Sequence, residues 1–240
     1  MSKREAPPPP VSPASRSRGL VEKLTIGAAA VMGPVFALMI GFSLVMLAKG
    51  WAAHVQKAND MLPGLMADER FLVDTTAYDQ GRLPRRGDIV AFTGPRMFPA
   101  DRERTWVKRI VGLPGDRIGL VDGILSIGGK VAVQEPLREH PLPSYRRDRV
   151  LLLRERLPDG AAYEILRSGN ALLDNGGPYV VPADSYFVLG DDRSNSIDSR
   201  GVGGPNEKPW YVPSKDIIGR ANYIYWSGLD RLDRIGSAVK

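Results

Sequence analysis

Three stretches of this 240-residue sequence concentrate the residue types that can do chemistry: 59–65 (NDMLPGL), 106–116 (WVKRIVGLPGD) and 190–201 (GDDRSNSIDSRG). The first supplies a carboxylate at Asp60, the second an amine at Lys108, and the third several hydroxyls among alternating charges. Taken singly, they fit a linker, a strand ending in a Pro-Gly turn, and a charged surface loop. The third stretch lacks the calcium-loop pattern, because Ile197 stands where that turn needs glycine.

Composition restricts the chemistry further. The chain has no cysteine, which excludes disulfides, thiolate metal sites and a cysteine nucleophile. It has two histidines, His54 and His140, too few for a multi-histidine metal site. The net charge is +6, and half of it belongs to residues 1–23. The remainder is a weak field without a basic stripe interleaved with aromatic residues, so no nucleic-acid partner is expected.

Residues 24–48 form an uncharged, mostly apolar run of 25 residues. At about 1.5 Å per residue, such a run crosses a hydrocarbon core of about 30 Å as a tilted helix. It is longer than the apolar stretch of a cleaved signal peptide, which has about 7–15 residues. Five basic residues precede it, so the positive-inside rule places the N-terminus in the cytoplasm. We therefore predict a disordered, Pro- and Arg-containing cytoplasmic tail over 1–23, one transmembrane helix over 24–48, and an extracytoplasmic domain over 49–240.

The sequence after residue 49 changes to short β-type runs separated by turn residues. No long amphipathic helix competes with this pattern, so we predict a mostly β domain of antiparallel strands. The expected strands are 71–77, 88–93, 105–112, 117–121, 124–127, 130–133, 186–189 and 217–226. The segment of about 135–175 is a candidate inserted lobe, with a strand at 150–153.

Together, in their order and their position after the apolar run, the three stretches resemble the motifs of bacterial signal peptidase I, the leader peptidase family. Residues 86–90 (RGDIV) match a further box of that family, and the resemblance extends to about Trp226. It implies a membrane-anchored, signal-peptidase-like β domain in the bacterial inner membrane. The implied activity is a serine endopeptidase that removes signal peptides from exported preproteins with a Ser-Lys dyad. The resemblance implies no cofactor and no metal, and it implies signal peptides, the lipid bilayer and the export machinery as partners.

The match also implies roles for individual residues. Lys108 corresponds to the general base, and Ser196 corresponds to the residue that orients it. An amine can activate a hydroxyl when it is neutral, and burial disfavours the charged form of an amine. Structural ion pairs are expected among Asp191, Arg193, Asp198 and Arg200. A shallow apolar pocket for small side chains is expected to be lined by Met61, Leu65, Phe71, Trp106 and Val107, although a core position explains Leu65 and Phe71 equally well.

The nucleophile position departs from the family pattern. The family places a serine directly before methionine, in a Ser-Met-x-Pro-Thr setting. This chain has Asp60 before Met61, and Gly64 in place of the threonine. No serine occurs between Ser43 and Ser126, so a shift of register does not supply one.

A carboxylate at that position opposes the dyad chemistry. Opposite charges about 4 Å apart attract by about 4 kcal/mol at an effective dielectric of 20, which favours the charged form of Lys108. An aspartic-protease mechanism needs a second carboxylate that shares a proton with the first. The nearest candidates for that second carboxylate are Asp68 and Glu69.

Three hypotheses follow from these observations. The chain is a signal peptidase I with an unusual or weak mechanism at Asp60. Alternatively, it is a non-catalytic homologue that binds signal peptides or a partner protein, with Asp60 and Lys108 as an internal ion pair. The third hypothesis is an unrelated β protein with one membrane span.

Overall fold

The computed structural model describes residues 32–41, 43–46, 48–95, 104–139, 150–169, 173–201 and 208–240. The chain divides into two compact units, Met1–Lys49 and Gly50–Lys240. In the first unit, residues 32–41, 43–46 and 48 are helical. Among the residues that the structure describes, no helix is both long enough and apolar enough to cross a membrane. The predicted tail over 1–23 and the start of the predicted transmembrane helix, 24–31, lie outside the described residues.

The second unit consists mainly of antiparallel β-strands, which confirms the predicted fold class. In chain order the strands are β1 (Trp51–Val55), β2 (Arg70–Asp74), β3 (Ile89–Thr93), β4 (Thr105–Gly112), β5 (Arg117–Val121), β6 (Ile124–Ile127), β7 (Lys130–Val131), β8 (Val133–Glu139), β9 (Val150–Arg156), β10 (Ala162–Ser168), β11 (Gly176–Val180), β12 (Ser185–Leu189), β13 (Val212–Pro213) and β14 (Ile217–Trp226). Short 3₁₀ helices at Ser214–Asp216 and Leu232–Arg234 lie on either side of β14.

The strand boundaries agree with the sequence prediction for β4, β5, β6 and β14. Strand β2 ends at Asp74, three residues earlier than predicted. The Asp74 carboxylate accepts hydrogen bonds from the Thr76 backbone N–H at 2.9 Å and from the Thr76 hydroxyl at 2.8 Å, and these bonds turn the chain. The predicted strand 130–133 is interrupted at Ala132, because β7 pairs with β6 whereas β8 pairs with β9 in another sheet.

The strands form three sheets. The largest has seven strands in the order β1-β2-β14-β3-β4-β12-β13. A four-stranded sheet has the order β11-β5-β6-β7, and a three-stranded sheet has the order β10-β9-β8. The strands of the three-stranded sheet lie within residues 133–139 and 150–168, which overlap the candidate lobe.

Strand β4 is an interior strand of the large sheet, between β3 and β12. Residues from Val107 onward are buried along it, as expected for a strand covered on both faces. Successive side chains point to opposite faces of a sheet, so Lys108 and Arg109 point in opposite directions. In register, Lys108 lies beside Val90, and Arg109 lies between Ile89 and Leu189.

A shared hydrophobic core joins the sheets. Its largest cluster includes Phe187 and Leu189 from the seven-stranded sheet, Ile118 from the four-stranded sheet, and Leu153 and Ile165 from the three-stranded sheet. Burial of such side chains stabilises by about 1.5–3 kcal/mol each. The three-stranded sheet is therefore packed against the body of the domain.

Candidate active site

The three chemically rich stretches meet at a pocket of about 460 Å³. Its walls are the segment that follows β1, the first half of β4, and the loop that follows β12. The lining residues are Gln56, Lys57, Ala58, Asp60, Arg104, Thr105, Trp106, Val107, Lys108, Asn195, Ser196 and Ile197. Residues far apart in the sequence therefore share one concave surface.

Lys108 and Asp60 form an ion pair in the wall of this pocket. Lys108 Nζ donates to Asp60 Oδ2, and it also donates to the Val107 carbonyl oxygen at 3.2 Å. The lysine side chain is 1% exposed and the aspartate side chain 19% exposed. The Trp106 ring centroid lies 5.4 Å from the ammonium nitrogen. The contact between Asp60 and Lys108 is the one expected for an internal ion pair.

Gln56 holds the same carboxylate from a second direction. Its Nε2 donates to Asp60 Oδ1 at 2.7 Å and to the Ala58 carbonyl oxygen at 2.9 Å. The Gln56 side chain is buried, and its backbone N–H donates to the Glu69 carbonyl oxygen at 2.9 Å. Both oxygens of Asp60 thus accept hydrogen bonds from side chains of the protein.

The two carboxylates that could have completed an acid pair lie in other surroundings. Asp68 is exposed, and Glu69 is fully buried with its oxygens bonded to Arg234, Ser227 and the Met66 N–H. Burial by itself would raise the pKa of Glu69, but these hydrogen bonds and the Arg234 charge lower it. In the part of the chain that the structure describes, no group of three or more His, Asp or Glu residues could hold a metal ion.

Ser196, which by the resemblance corresponds to the residue that orients Lys108, lines the pocket but makes no hydrogen bond to that lysine. Its Oγ is buried and has no hydrogen-bond partner among the described residues. The Lys108 ammonium is instead occupied by Asp60 and by the Val107 carbonyl. The carboxylate is a stronger acceptor for an ammonium than a neutral hydroxyl, which accounts for this choice of partner.

The predicted ion-pair residues of the third stretch are all buried and paired. Asp198 and Arg200 pair with each other, through two contacts of 2.8 Å. Asp191 pairs instead with Arg109 of β4, at 2.6 and 2.7 Å. Arg193 likewise pairs with a residue outside the stretch.

The partner of Arg193 is Glu155 of β9. Arg193 Nη1 donates to Glu155 Oε1 at 2.9 Å, and its Nη2 donates to Oε2. Burial by itself would raise the pKa of Glu155, but the adjacent Arg193 lowers it. For Asp198, burial is likewise outweighed by Arg200 and by the Gly190 N–H, so the pKa of that carboxyl is also lowered.

The predicted apolar pocket residues divide into two groups. Trp106 and Val107 line the pocket. Met61, Leu65 and Phe71 do not line the pocket and are fully buried in a core cluster, to which Val107 also belongs. The Leu65 N–H donates to the Met61 carbonyl at 2.9 Å, a turn that brings both side chains to the same side, facing the core.

Sequence reasoning missed Gln56 and Glu155. Gln56 stands four residues before Asp60 and carries no motif of its own. The strand sequence VLLLRER indicates an inward-facing Glu155, because strand alternation places Glu155 on the same face as the buried Leu153. A carboxylate on an inward-facing position requires a buried partner.

Comparison with known proteins identifies similar chains. The family model described as "Signal peptidase, peptidase S26" matches residues 27–226. Signal peptidase I of Leptolyngbya laminosa is 33% identical over 205 residues, which cover 82% of this chain and 81% of the relative. Signal peptidase I P of Bacillus subtilis subsp. natto is 31% identical over 199 residues, covering 82% and 89%. A crystal structure of a signal peptidase I from Enterococcus faecalis covers 57% of this chain and 96% of its own, with 25% identity and a TM-score of 0.32.

Proposed function

This chain belongs to the signal peptidase family S26, and we propose that it acts on the signal peptides of exported preproteins. In this proposal, residues 24–48 anchor it in a bacterial inner membrane, the N-terminus is cytoplasmic, and the β domain lies outside. Signal peptides then bind in the pocket beside Asp60 and Lys108. The lipid bilayer and the export machinery are the other proposed partners.

The observation that carries this proposal is the convergence of the three motif stretches on one pocket. The pocket lies between the segment after β1 and the start of β4, and its apolar wall includes Trp106 and Val107. A concave surface with an apolar wall suits the apolar side chains of a short extended segment. That preference matches the substrate class implied by the family.

Within this function, the contact between Asp60 and Lys108 favours binding without cleavage. A Ser-Lys dyad needs a hydroxyl nucleophile and a neutral amine. Here a carboxylate stands in place of the hydroxyl, and the amine donates to it. Attack by the carboxylate on an amide carbonyl would give a tetrahedral intermediate. That intermediate expels the carboxylate, which is the better leaving group, more readily than the amine, so the peptide bond re-forms.

A second candidate is a peptidase that cleaves by a mechanism other than the Ser-Lys dyad. It is favoured by the rest of the framework, since Lys108 is buried and the Asp198–Arg200 and Asp191–Arg109 pairs are in place. The two candidates share the pocket and the substrate class. They differ in whether the peptide bond is broken.

Cleavage of a preprotein by the purified full chain in detergent separates the two candidates. We expect the wild type to bind the preprotein without cleaving it. Asp60→Ser should gain cleavage at least tenfold above the matched Asp60→Ala control, because it restores the hydroxyl and removes the charge that holds the ammonium. The gain should vanish in Asp60→Ser/Lys108→Ala.

Robust cleavage by the wild type that is lost in Lys108→Ala would contradict the binding candidate and favour the second one. Failure of the wild type to bind or to cleave any preprotein would contradict the proposed function itself. A folded Asp60→Ser variant that binds but stays inert would mean that the site differs from a Ser-Lys peptidase in more than the nucleophile.

A further inference from the structure

The three-stranded sheet of β8, β9 and β10, here called the support sheet, contacts a wall of the pocket. That wall belongs to residues 190–201, here called the site loop, which contribute Asn195, Ser196 and Ile197 to the lining. We propose that the support sheet positions the site loop, and that Glu155 is the residue through which it does so. The proposal rests on the proposed function only where it concerns the ligand of the pocket.

The backbone of the site loop docks onto the edge of the support sheet. Strand β10 is an edge strand of its sheet, and Leu166 forms a parallel bridge with Asp192. The Leu166 N–H donates to the Asp191 carbonyl at 2.8 Å, and the Arg193 N–H donates to the Leu166 carbonyl at 2.9 Å. The loop therefore occupies backbone groups that an edge strand otherwise leaves open.

Ser194 of the site loop and Ser168 at the end of β10 add two hydrogen bonds to this docking. Ser194 Oγ accepts from the Ser168 N–H at 2.9 Å and donates to the Ser168 carbonyl at 3.0 Å. Asn195, the next residue, lines the pocket. The docked part of the loop thus reaches directly to the lining.

Glu155 of β9 contacts Arg193 and also residues of β8 and β10, so all three strands of the support sheet contribute to this cluster. The glutamate is 0% exposed and the arginine 2%. Besides its two contacts with Arg193, the carboxylate accepts from Tyr163 Oη of β10 at 2.8 Å and from Gln134 Nε2 of β8 at 2.9 Å. A buried guanidinium needs such a partner, so the position of Arg193 is set by this cluster.

Arg193 in turn forms hydrogen bonds with other residues of the site loop. Its Nε donates to the Gly190 carbonyl at 3.2 Å, and its own carbonyl accepts from Arg200 Nη2 at 2.8 Å. The neighbouring Asp192 N–H donates to the Asp60 carbonyl at 3.1 Å. Glu155 therefore acts on the pocket through Arg193, as a positioning residue.

Amide hydrogen exchange of the full chain without ligand tests the proposal. Glu155→Gln keeps the shape and removes the charge, and Ser194→Ala removes the serine pair with little effect on the core. We expect both variants to speed exchange of the Asp192, Arg193 and Asn195 amides at least tenfold, whereas the amides of β2 and β14 stay as slow as in the wild type. The matched control is Asp116→Asn, which weakens the Arg86–Asp116 pair elsewhere in the domain.

Unchanged loop exchange in Glu155→Gln, or equal acceleration throughout the domain, would overturn the proposal. Signal-peptide affinity is the second measurement, and we expect a loss of about tenfold in Glu155→Gln but not in Asp116→Asn. A peptide affinity equal to that of the wild type in Glu155→Gln would overturn the link to the pocket. If the wild type binds no signal peptide, the proposed function fails, and the exchange result still decides whether Glu155 positions the loop.

Discussion

The ammonium of Lys108 is almost fully removed from water, and its environment must compensate for the lost hydration. In a Ser-Lys peptidase the compensation has to leave the amine able to lose a proton. Here Asp60 provides a full negative charge, and Gln56 keeps that carboxylate in place. The Asp60 side chain is thus held as the partner of an ammonium, an arrangement suited to structural stability.

We predict that Asp60 and Lys108 are strongly coupled in stability. Removal of one partner of a buried pair costs about 3 kcal/mol, because the other charge stays buried. Asp60→Ala should cost about that much, and Lys108→Met less, because Asp60 keeps Gln56 and some exposure. The double variant should cost less than the sum by about 1–3 kcal/mol, measured by chemical denaturation in detergent. Exposed Asp79→Ala is the control, and additive costs for Asp60 and Lys108 would contradict the coupling.

Among the structural elements, strands that are rich in β-branched or aromatic residues and are bounded by turn residues could be predicted from the sequence. Strands β4, β5, β6 and β14 are examples, because β-branched and aromatic residues fill them. Only Lys49 and Gly50 separate strand β1 (WAAHV) from the apolar run, and its two alanines have low β propensity. Strand β11 (GGPYV) contains glycine and proline, which weaken any strand prediction, and its pairing with β5 is a long-range interaction.

The site, too, could be predicted from the sequence only in part. The motif stretches predicted that Lys108, Asp60 and Ser196 would come together, and the pocket contains all three. Sequence alone did not predict that Asp191 and Arg193 pair outside their own stretch. Those partners, Arg109 and Glu155, are placed by sheet packing, and one sequence does not reveal which buried charges will meet.

Residues 236–240, here called the return segment, form another element that bears on the turn carrying Asp60. The Val239 N–H donates to the Asn222 carbonyl at 2.7 Å, and the Ile224 N–H donates to the Ser237 carbonyl at 3.0 Å. Val239 also packs on the core cluster that contains Met61. The return segment thus extends the pairing of β14 and covers the turn at Gly64.

We predict that Gly64→Thr releases the return segment. A Cβ at position 64 would collide with the Lys240 carbonyl oxygen, which is backbone and cannot move aside alone. The variant should lose about 1–3 kcal/mol of stability and show faster amide exchange at Val239 and Ile224. Removal of Lys240 is the control, because Gly64→Thr should then have little added effect. Undisturbed protection of Val239 in Gly64→Thr would contradict the prediction.

For the molecule as a whole, buried carboxylates paired with arginines connect distant parts of the domain. Glu155–Arg193 joins the support sheet to the site loop, and Asp198–Arg200 lies within the loop. Glu69–Arg234 joins the turn before β2 to the segment after β14. Because the pKa values of Glu69, Glu155 and Asp198 are lowered in the folded state, each contributes stability at neutral pH.

The last prediction concerns how stability depends on pH. A carboxyl group whose pKa is lowered on folding stabilises the protein fully above its unfolded-state pKa of about 4. That stability is lost as the pH falls through the folded-state pKa. Burial also lowers the pKa of His54 from its ordinary value of 6.5, so its contribution is present above pH 6.5 and is lost at lower pH. We therefore expect the free energy of unfolding to begin falling below pH 6.5 and to fall more steeply below pH 4.5.

His54→Phe separates the two parts of this decline. His54 stacks on Phe71 with ring centroids 6.0 Å apart, and phenylalanine keeps an aromatic ring there without a titrating group. The variant should lose the part of the decline between pH 5 and 6.5 that His54 causes, and the decline below pH 4.5 should stay. Denaturant titrations at half-unit pH intervals measure both parts. An unchanged slope between pH 5 and 6.5 in His54→Phe would contradict the role given to His54 in that range.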